Sequence, residues 1–285
     1  MTTTSSFSAP ATPVLAPASP TTGASAAGRR PLRRALLAVT LSLALVGAAC
    51  SSESSAPTIN TDITLPPVAN PADAPGTSEV ARPRAEGDIV FRSAPADDAP
   101  IAATLPNPRP LATDPPVSIP LVLLVAERQG DWLQVYLPIR PNGSTGWLRA
   151  EEVTVTTHPW RIEAALDEFR LRVYKNDEVV YETEIGVARD NAPTPGGLYY
   201  TTELLQPPDP NTVYGTYAYG LSGFSETFEE FNGGPGQLGL HGTNEPELIG
   251  QAVSAGCIRL RNEDIDYLVE QLKLPLGVPV EVVTS

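Results

Sequence analysis

From Gly87 to Val283, apolar side chains recur at about every second position in short runs, broken by Gly, Pro, Asn and Asp. A period of two is that of a half-buried strand, so the pattern predicts a mainly β protein. Asp88–Pro95 reads as a strand closed by a turn, and Ile101–Pro106 as a second. Val122–Leu137 reads as a hairpin, with Trp132, Gln134 and Tyr136 on one face of its second strand. Asn142-Gly143 is a further turn signal, ahead of Gly146-Trp147-Leu-Arg. Trp132 and Trp147 suit either a peptide groove or the core of a small barrel. The Pro-rich stretch Pro106–Pro120 interrupts the alternation.

A second patterned region begins near Trp160. Phe169–Tyr174 alternates, Asn176-Asp177 turns the chain, and Val179–Val187 alternates back. Leu204–Gly236 carries Tyr214, Tyr217, Tyr219, Phe224, Phe228 and Phe231 and reads as a long loop-rich region. Loops of that length commonly cover or bind a ligand, although roughly half of these aromatics are expected to pack on the sheet. Gln237–Gly242 reads as a strand delivering His241 at its end, and Val253–Cys257 as a tight turn of small residues entering Ile258-Arg-Leu. Asn262-Glu-Asp opens the one clear helix, with Asn262 as its cap and Ile265, Leu268, Val269 and Leu272 along one face. Val278–Val283 supplies a last strand.

Ahead of Gly87 the pattern disappears. Residues 1–28 hold no charged side chain; Arg29, Arg30, Arg33 and Arg34 then precede the apolar stretch Ala35–Ala49. That order is a signal peptide's, and the stretch is short for a membrane span. It ends in Leu45-Val-Gly-Ala-Ala-Cys50, which resembles a bacterial lipoprotein signal and makes Cys50 the expected lipidation site. Gly47 stands where leucine is commoner, so ordinary signal-peptidase cleavage and an uncleaved anchor remain alternatives. Residues 50–85, with prolines at 57, 66, 67, 71, 75 and 83, read as a disordered Ser/Ala/Pro tether. Loss of residues 1–49 removes four arginines and no acid, which takes the formal charge from −14 to −18. Such a chain repels nucleic acid, which is excluded as a partner.

The chemistry is concentrated near the C-terminus. The chain has two cysteines and two histidines, and one of each, His241 and Cys257, lies within the run from His241-Gly-Thr-Asn to Ser254-Ala-Gly-Cys-Ile-Arg-Leu260. A thiol attacks as its thiolate, and an imidazole is the usual group to take its proton. Zinc needs three or four protein ligands, and His158 with no further Cys does not complete such a set, so neither metal nor cofactor is expected. The amides of Gly256 and Cys257 are candidates for an oxyanion hole. In a strand Arg259 shares a face with Cys257, where it would steer a carboxylate or steady the thiolate; the bland alternative is a surface ion pair with Glu263 or Asp264.

His241-Gly-Thr243, Ser254-x-Gly-Cys-Ile-Arg-Leu260 and the acidic helix start at Asn262 resemble the L,D-transpeptidase catalytic domain, the YkuD-like fold, as does Pro193-Thr-Pro-Gly-Gly-Leu-Tyr199. The resemblance spans about residues 160–284. It departs at Ala255, where many relatives carry a second His. Gly-Asp-Trp132-Leu-x-Val followed by Gly-Trp147-Leu resembles bacterial SH3-like domains. Together these imply a small SH3-like β-barrel over 86–157 and a YkuD-like β-sandwich or barrel over 160–285 with one helix. They imply a peptidoglycan L,D-transpeptidase, with stem peptides as substrates, in an extracytoplasmic lipoprotein facing the cell wall. By the same resemblance Cys257 is the nucleophile, His241 the general acid and base, and the Gly242 carbonyl orients the imidazole; no Asp or Asn third member is assigned. Arg259, Ser254, Thr243 and Tyr219 are the expected substrate contacts. Hydrolysis of stem peptides and a non-catalytic wall-binding role are the alternatives.

Overall fold

The computed structural model describes residues 76–111, 117–230 and 234–284. The signal-like segment, Cys50, most of the tether and Phe231 lie outside these residues. The described chain is mainly β.

The first sheet is built from β1 (Ser78–Pro83), β2 (Gly87–Arg92), β3 (Ile101–Asn107), β6 (Leu123–Gln129), β7 (Trp132–Tyr136), β8 (Thr145–Arg149) and β9 (Val153–His158), in the order β3-β2-β8-β7-β6-β1-β9. β4 (Arg109–Leu111) and β5 (Val117–Ile119) pair separately. Phe91, Leu121, Leu123, Leu133, Val135 and Leu148 form its core. Trp132 and Trp147 are both buried, so packing and not a groove is their role here; the Arg149 guanidinium lies over the Trp132 ring, 4.3 Å from its centroid.

One expectation fails in this half. β1 falls inside the stretch read as tether: Val80 and Ala81 are fully buried, and the strand pairs with both β6 and β9. One apolar pair with partners on both sides outweighs the polar, proline-bearing surroundings. The Pro-rich insert, which interrupts the alternation, carries the antiparallel β4–β5 pair.

The second sheet comprises β10 (Trp160–Ala165), β11 (Arg170–Lys175), β12 (Glu178–Glu184), β14 (Gly197–Leu205), β15 (Ala218–Phe224), β16 (Gln237–His241), β18 (Ile258–Arg259) and β19 (Pro279–Val283), ordered β12-β11-β10-β19-β14-β15-β16-β18. β13 (Val187–Ala188) pairs with β17 (Ala252–Ser254). Asn176 and Asp177 turn β11 into β12 at φ 50° and 65°, a backbone that Asn and Asp tolerate and a two-residue hairpin requires. The core joins Ile162, Leu171, Tyr219, Leu221, Leu238, Leu240, Ile258 and Leu260 to Ile265 and Leu268 of the single described α-helix, α1 (Asn262–Asp266), which runs on in π-helical turns to Gln271. The region read as loop-rich, Leu204–Gly236, holds a full strand, β15, in its middle. Alternating Tyr219, Leu221 and small residues make β15 a strand, and the glycines at 220 and 223 hid its period.

The two sheets are tied through polar contacts from the first half. Arg109 on β4 reaches Glu203 on β14 at 2.6 Å, with side-chain exposures of 14% and 6%. Gln237 and Thr202 also donate to that carboxylate. Removing one partner of a buried pair typically costs about 3–5 kcal/mol, because the other charge is stranded. Arg140 donates to the carbonyls of Ser225, Phe228 and Pro235, and Asn142 pairs with both backbone groups of Phe224. The loop after β15 is therefore held from outside its own sheet.

Candidate active site

β16 and β18 run parallel, with Leu240 opposite Ile258 and His241 opposite Arg259. Leu240 and Ile258 are fully buried in the core, so His241 and Arg259 project from the other face. Two positions before them, and so on the same face, are Gly239 on β16 and Cys257 just ahead of β18. A Cβ placed on Gly239 would lie 3.5 Å from His241 Cδ2 and 3.7 Å from Cys257 Sγ. Imidazole and thiol therefore border one small space whose floor is a glycine. The row continues across the sheet, since Gly239 pairs with Gly220 and Gly220 with Glu203. Over Gly220 the Glu203 carboxylate fills the space, 1.9 Å from where a Cβ would stand. Over Gly239 nothing does.

His241 is 4% exposed. Its Nδ1 lies 2.7 Å from the Gly242 carbonyl oxygen. A carbonyl only accepts, so Nδ1 carries the proton and Nε2, next to Cδ2 on the thiol side, is left as the base. Tyr214 meets the ring edge-on at 5.1 Å between centroids. Burial, helped by the Arg259 charge, brings the imidazole pKa down to about 4 against the Gly242 hydrogen bond. Burial likewise raises the Cys257 thiol, opposed by a hydrogen bond from the Gly239 backbone and by Arg259. At neutral pH the pair rests as thiol and neutral imidazole.

The turn before Cys257 is braced from both sides. Ser254 Oγ donates to the Cys257 carbonyl at 2.6 Å and accepts from the Gly256 amide at 3.2 Å. Thr194 Oγ1 donates to the Gly256 carbonyl at 2.8 Å. In a trans peptide the N–H points opposite to the C=O, so this contact turns the Cys257 amide away from Thr194. Gly256 sits at φ 125°, which a side chain would strain.

These contacts revise several expected roles. The Gly256 amide is engaged within the turn, which leaves the Cys257 amide as the candidate oxyanion donor. Ser254, 2% exposed, braces the turn instead of meeting substrate. Thr243 is buried, its hydroxyl accepting from the Glu245 amide. Tyr219 is a core residue whose hydroxyl donates to the Leu274 carbonyl. Arg259 shares the face of Cys257, but its ion partner is Glu245 at 3.1 Å, not Glu263 or Asp264. Its buried Nε has no protein partner. Asn262 makes no cap contact; Arg261 takes the cap position. Gly239 and Thr194 went unnamed in the sequence reading: the first has no side chain to flag it, and the second belongs to the distant Pro193–Tyr199 segment. Among the described residues no group of three or more His, Cys, Asp and Glu could hold a metal ion.

Comparison with known proteins meets this geometry at one place. Residues 159–282 match the YkuD family, the L,D-transpeptidase catalytic domain. The YkuD protein of Bacillus licheniformis is 35% identical over 109 residues, which is 38% of this chain and 58% of that protein. ErfK/SrfK of Escherichia coli K12, named a probable L,D-transpeptidase, is 35% identical over 130 residues, 41% of each chain. The chain thus spans about half the length of these curated relatives. Among solved structures, the catalytic domain of an Enterococcus faecium L,D-transpeptidase covers 44% of this chain and 96% of its own, at 22% identity and TM-score 0.32. Both His241 and Cys257 lie within the YkuD-matched segment.

The buried imidazole has a consequence for stability. Unfolded, His241 titrates near its ordinary value of about 6.5. Folded, it does so at about 4. The unfolded chain therefore binds the proton first. The native state's full advantage is present above about pH 6.5 and declines as pH falls towards 4. The loss is on the order of 3 kcal/mol. Urea unfolding of wild type and His241→Gln at pH 7 and pH 4.5 checks this; the variant should lack that part of the pH slope.

Proposed function

We propose that the chain is a peptidoglycan L,D-transpeptidase acting through a Cys257 acyl-enzyme. The observation that carries this reading is that the Cys257 thiol and the Cδ2 edge of the His241 ring border one space over the bare Gly239 floor, within a segment that matches the L,D-transpeptidase catalytic domain. The donor is a stem peptide whose third residue is a diamino acid followed by D-alanine. Its scissile carbonyl enters the space over Gly239. Nε2 takes the thiol proton as Sγ attacks the carbonyl carbon, and the Cys257 amide meets the developing oxyanion. The C–N bond breaks, Nε2 returns its proton to the leaving D-alanine amine, and a thioester remains. The side-chain amine of a second stem then loses a proton to Nε2 and attacks the thioester. The thiolate leaves and is reprotonated, giving a cross-link between two third residues.

A neutral resting pair suits this sequence. Proton transfer follows substrate arrival, so no bare thiolate waits exposed to oxidants. The buried Nε of Arg259, without a protein partner, supports reading this side chain as a contact for a substrate carboxylate. The same reading makes the first sheet an SH3-like wall-associated module and Cys50 a lipid anchor on the outer face of the membrane. Hydrolysis of stem peptides is the second reading, because water in place of the amine uses the same residues.

Incubated with a tetrapeptide stem and excess amine acceptor, the wild-type chain should yield chiefly cross-linked dimer with release of D-alanine. With a carbapenem it should gain a covalent mass adduct. Cys257→Ala should lose both, a fall of at least about 10³-fold in product. Tripeptide as the main product at saturating acceptor would favour the hydrolase, and an adduct persisting in Cys257→Ala would overturn the nucleophile. Anchoring is read separately. Detergent partition of wild type, lost in Cys50→Ala, supports lipidation, and an unlipidated mature N-terminus rejects it.

A further inference from the structure

His241 is oriented by a backbone carbonyl, and a carbonyl in a loop orients nothing unless the loop is itself held. The grip traces to one atom. Asn262 Oδ1 accepts from the Thr243 amide at 3.0 Å and from the Thr216 amide at 3.3 Å. The first contact holds the strand exit His241-Gly242-Thr243. The second holds the turn that carries Tyr214 against the imidazole.

The packing around that oxygen is close enough to make it a fixed point. A Cβ on Gly242 would stand 2.3 Å from Asn262 Oδ1, and one on Gly215 would stand 2.0 Å from it. Gly215 occupies φ 64°, which glycine adopts freely. Two glycines from two loops thus converge on a single side-chain oxygen. Asn262 itself is seated by α1, whose next residues are tied down. Asp264 accepts from Tyr181 at 2.6 Å and from Thr183 at 2.9 Å, and Asp266 accepts from the Thr216 hydroxyl. The charged and titratable groups around His241 are Cys257 and Arg259 on the neighbouring strand, Glu245 paired with Arg259, and Tyr214 above the ring.

We infer that Asn262 is a positioning residue. Its one carbonyl oxygen joins the carbonyl that sets the His241 tautomer to the aromatic turn that shields the ring. This inference rests on the proposed use of His241 as acid and base, but its geometry stands without it. His241 Nδ1 meets the Gly242 carbonyl, and Asn262 accepts from the N–H of that same peptide, so the polar third member acts at one remove. Its chemistry is narrow. The site needs an acceptor for two N–H groups, of amide size, with no charge to disturb the imidazole.

The test uses the full chain and reads nitrogen-15 spectra of the histidines with amide hydrogen exchange. In wild type, His241 should carry its proton on Nδ1, and the Thr216 and Thr243 amides should be protected. Asn262→Asp keeps the acceptor and adds a charge. It should fold, keep the tautomer and move the His241 titration upward by about one pH unit. Asn262→Leu keeps the bulk without the acceptor. It should speed exchange at both amides by at least about tenfold and mix the two tautomers. An unmoved titration in a folded Asn262→Asp, or an unchanged tautomer and both amides still protected in a folded Asn262→Leu, overturns the inference. Should neither variant fold, wild type decides. An Nε2-protonated tautomer, or rapid exchange at Thr216 or Thr243, overturns it, and the opposite supports it. None of these signals requires turnover. Stem-peptide inactivity in a chain that shows them would refute the proposed reaction and leave the positioning role intact.

Discussion

The site depends first on the register of one short parallel pairing. β16 and β18 place Leu240 and Ile258 in the core, and that alone sends Gly239, His241, Cys257 and Arg259 to the opposite face. A slip of one residue would turn His241 and Arg259 onto the core face and carry two core side chains off it. The apolar residues thus hold the register, and His241, Cys257 and Arg259 inherit their direction from it. The match to the L,D-transpeptidase catalytic domain falls on the segment that contains this pairing.

Around that pairing, neutral contacts do most of the orienting. The imidazole is fixed by the Gly242 carbonyl, the turn before Cys257 by Ser254 and Thr194, and the loops by Asn262 Oδ1. A carboxylate against His241 would favour imidazolium, while a carbonyl fixes the tautomer and leaves the ring neutral in its buried setting. Charge enters only through Arg259, which disfavours imidazolium and favours thiolate. The first sheet adds a mechanical constraint from further off. Through Arg109 on β4 and through Arg140 and Asn142 between β7 and β8, the first half of the described chain grips the far end of the glycine row and the loop after β15.

Much of this was legible in the sequence because period-two alternation survives in strands buried on one face. β11, β12 and β19 are of that kind, and Asn176-Asp177 announced its turn. β15 was not legible, since its glycines at 220 and 223 removed the contrast that alternation needs; they are there because Glu203 and Tyr199 occupy the space above them. β1 was hidden by a proline-rich, polar neighbourhood around one buried pair. Within the site, Cys257, His241 and Arg259 were visible by residue type and spacing. The supporting contacts were not. Ser254, Thr243 and Tyr219 look like substrate contacts until burial shows that their hydroxyls are satisfied within the protein. Asn262 looks like a cap until its oxygen is seen to reach two loops.

The central claim is that the space over Gly239, between imidazole and thiol, is where the acyl group is received. Gly239→Ala tests it most directly. Gly239 has no positive φ, and the added methyl would meet its nearest neighbours at 3.5–3.7 Å, ordinary contact distances. The variant should therefore fold with wild-type stability, and a small haloacetamide should still alkylate Cys257. Acylation by a stem tetrapeptide should nevertheless fall by at least about 100-fold, because the methyl occupies the substrate's place. A folded Gly239→Ala protein that acylates at the wild-type rate would contradict the account.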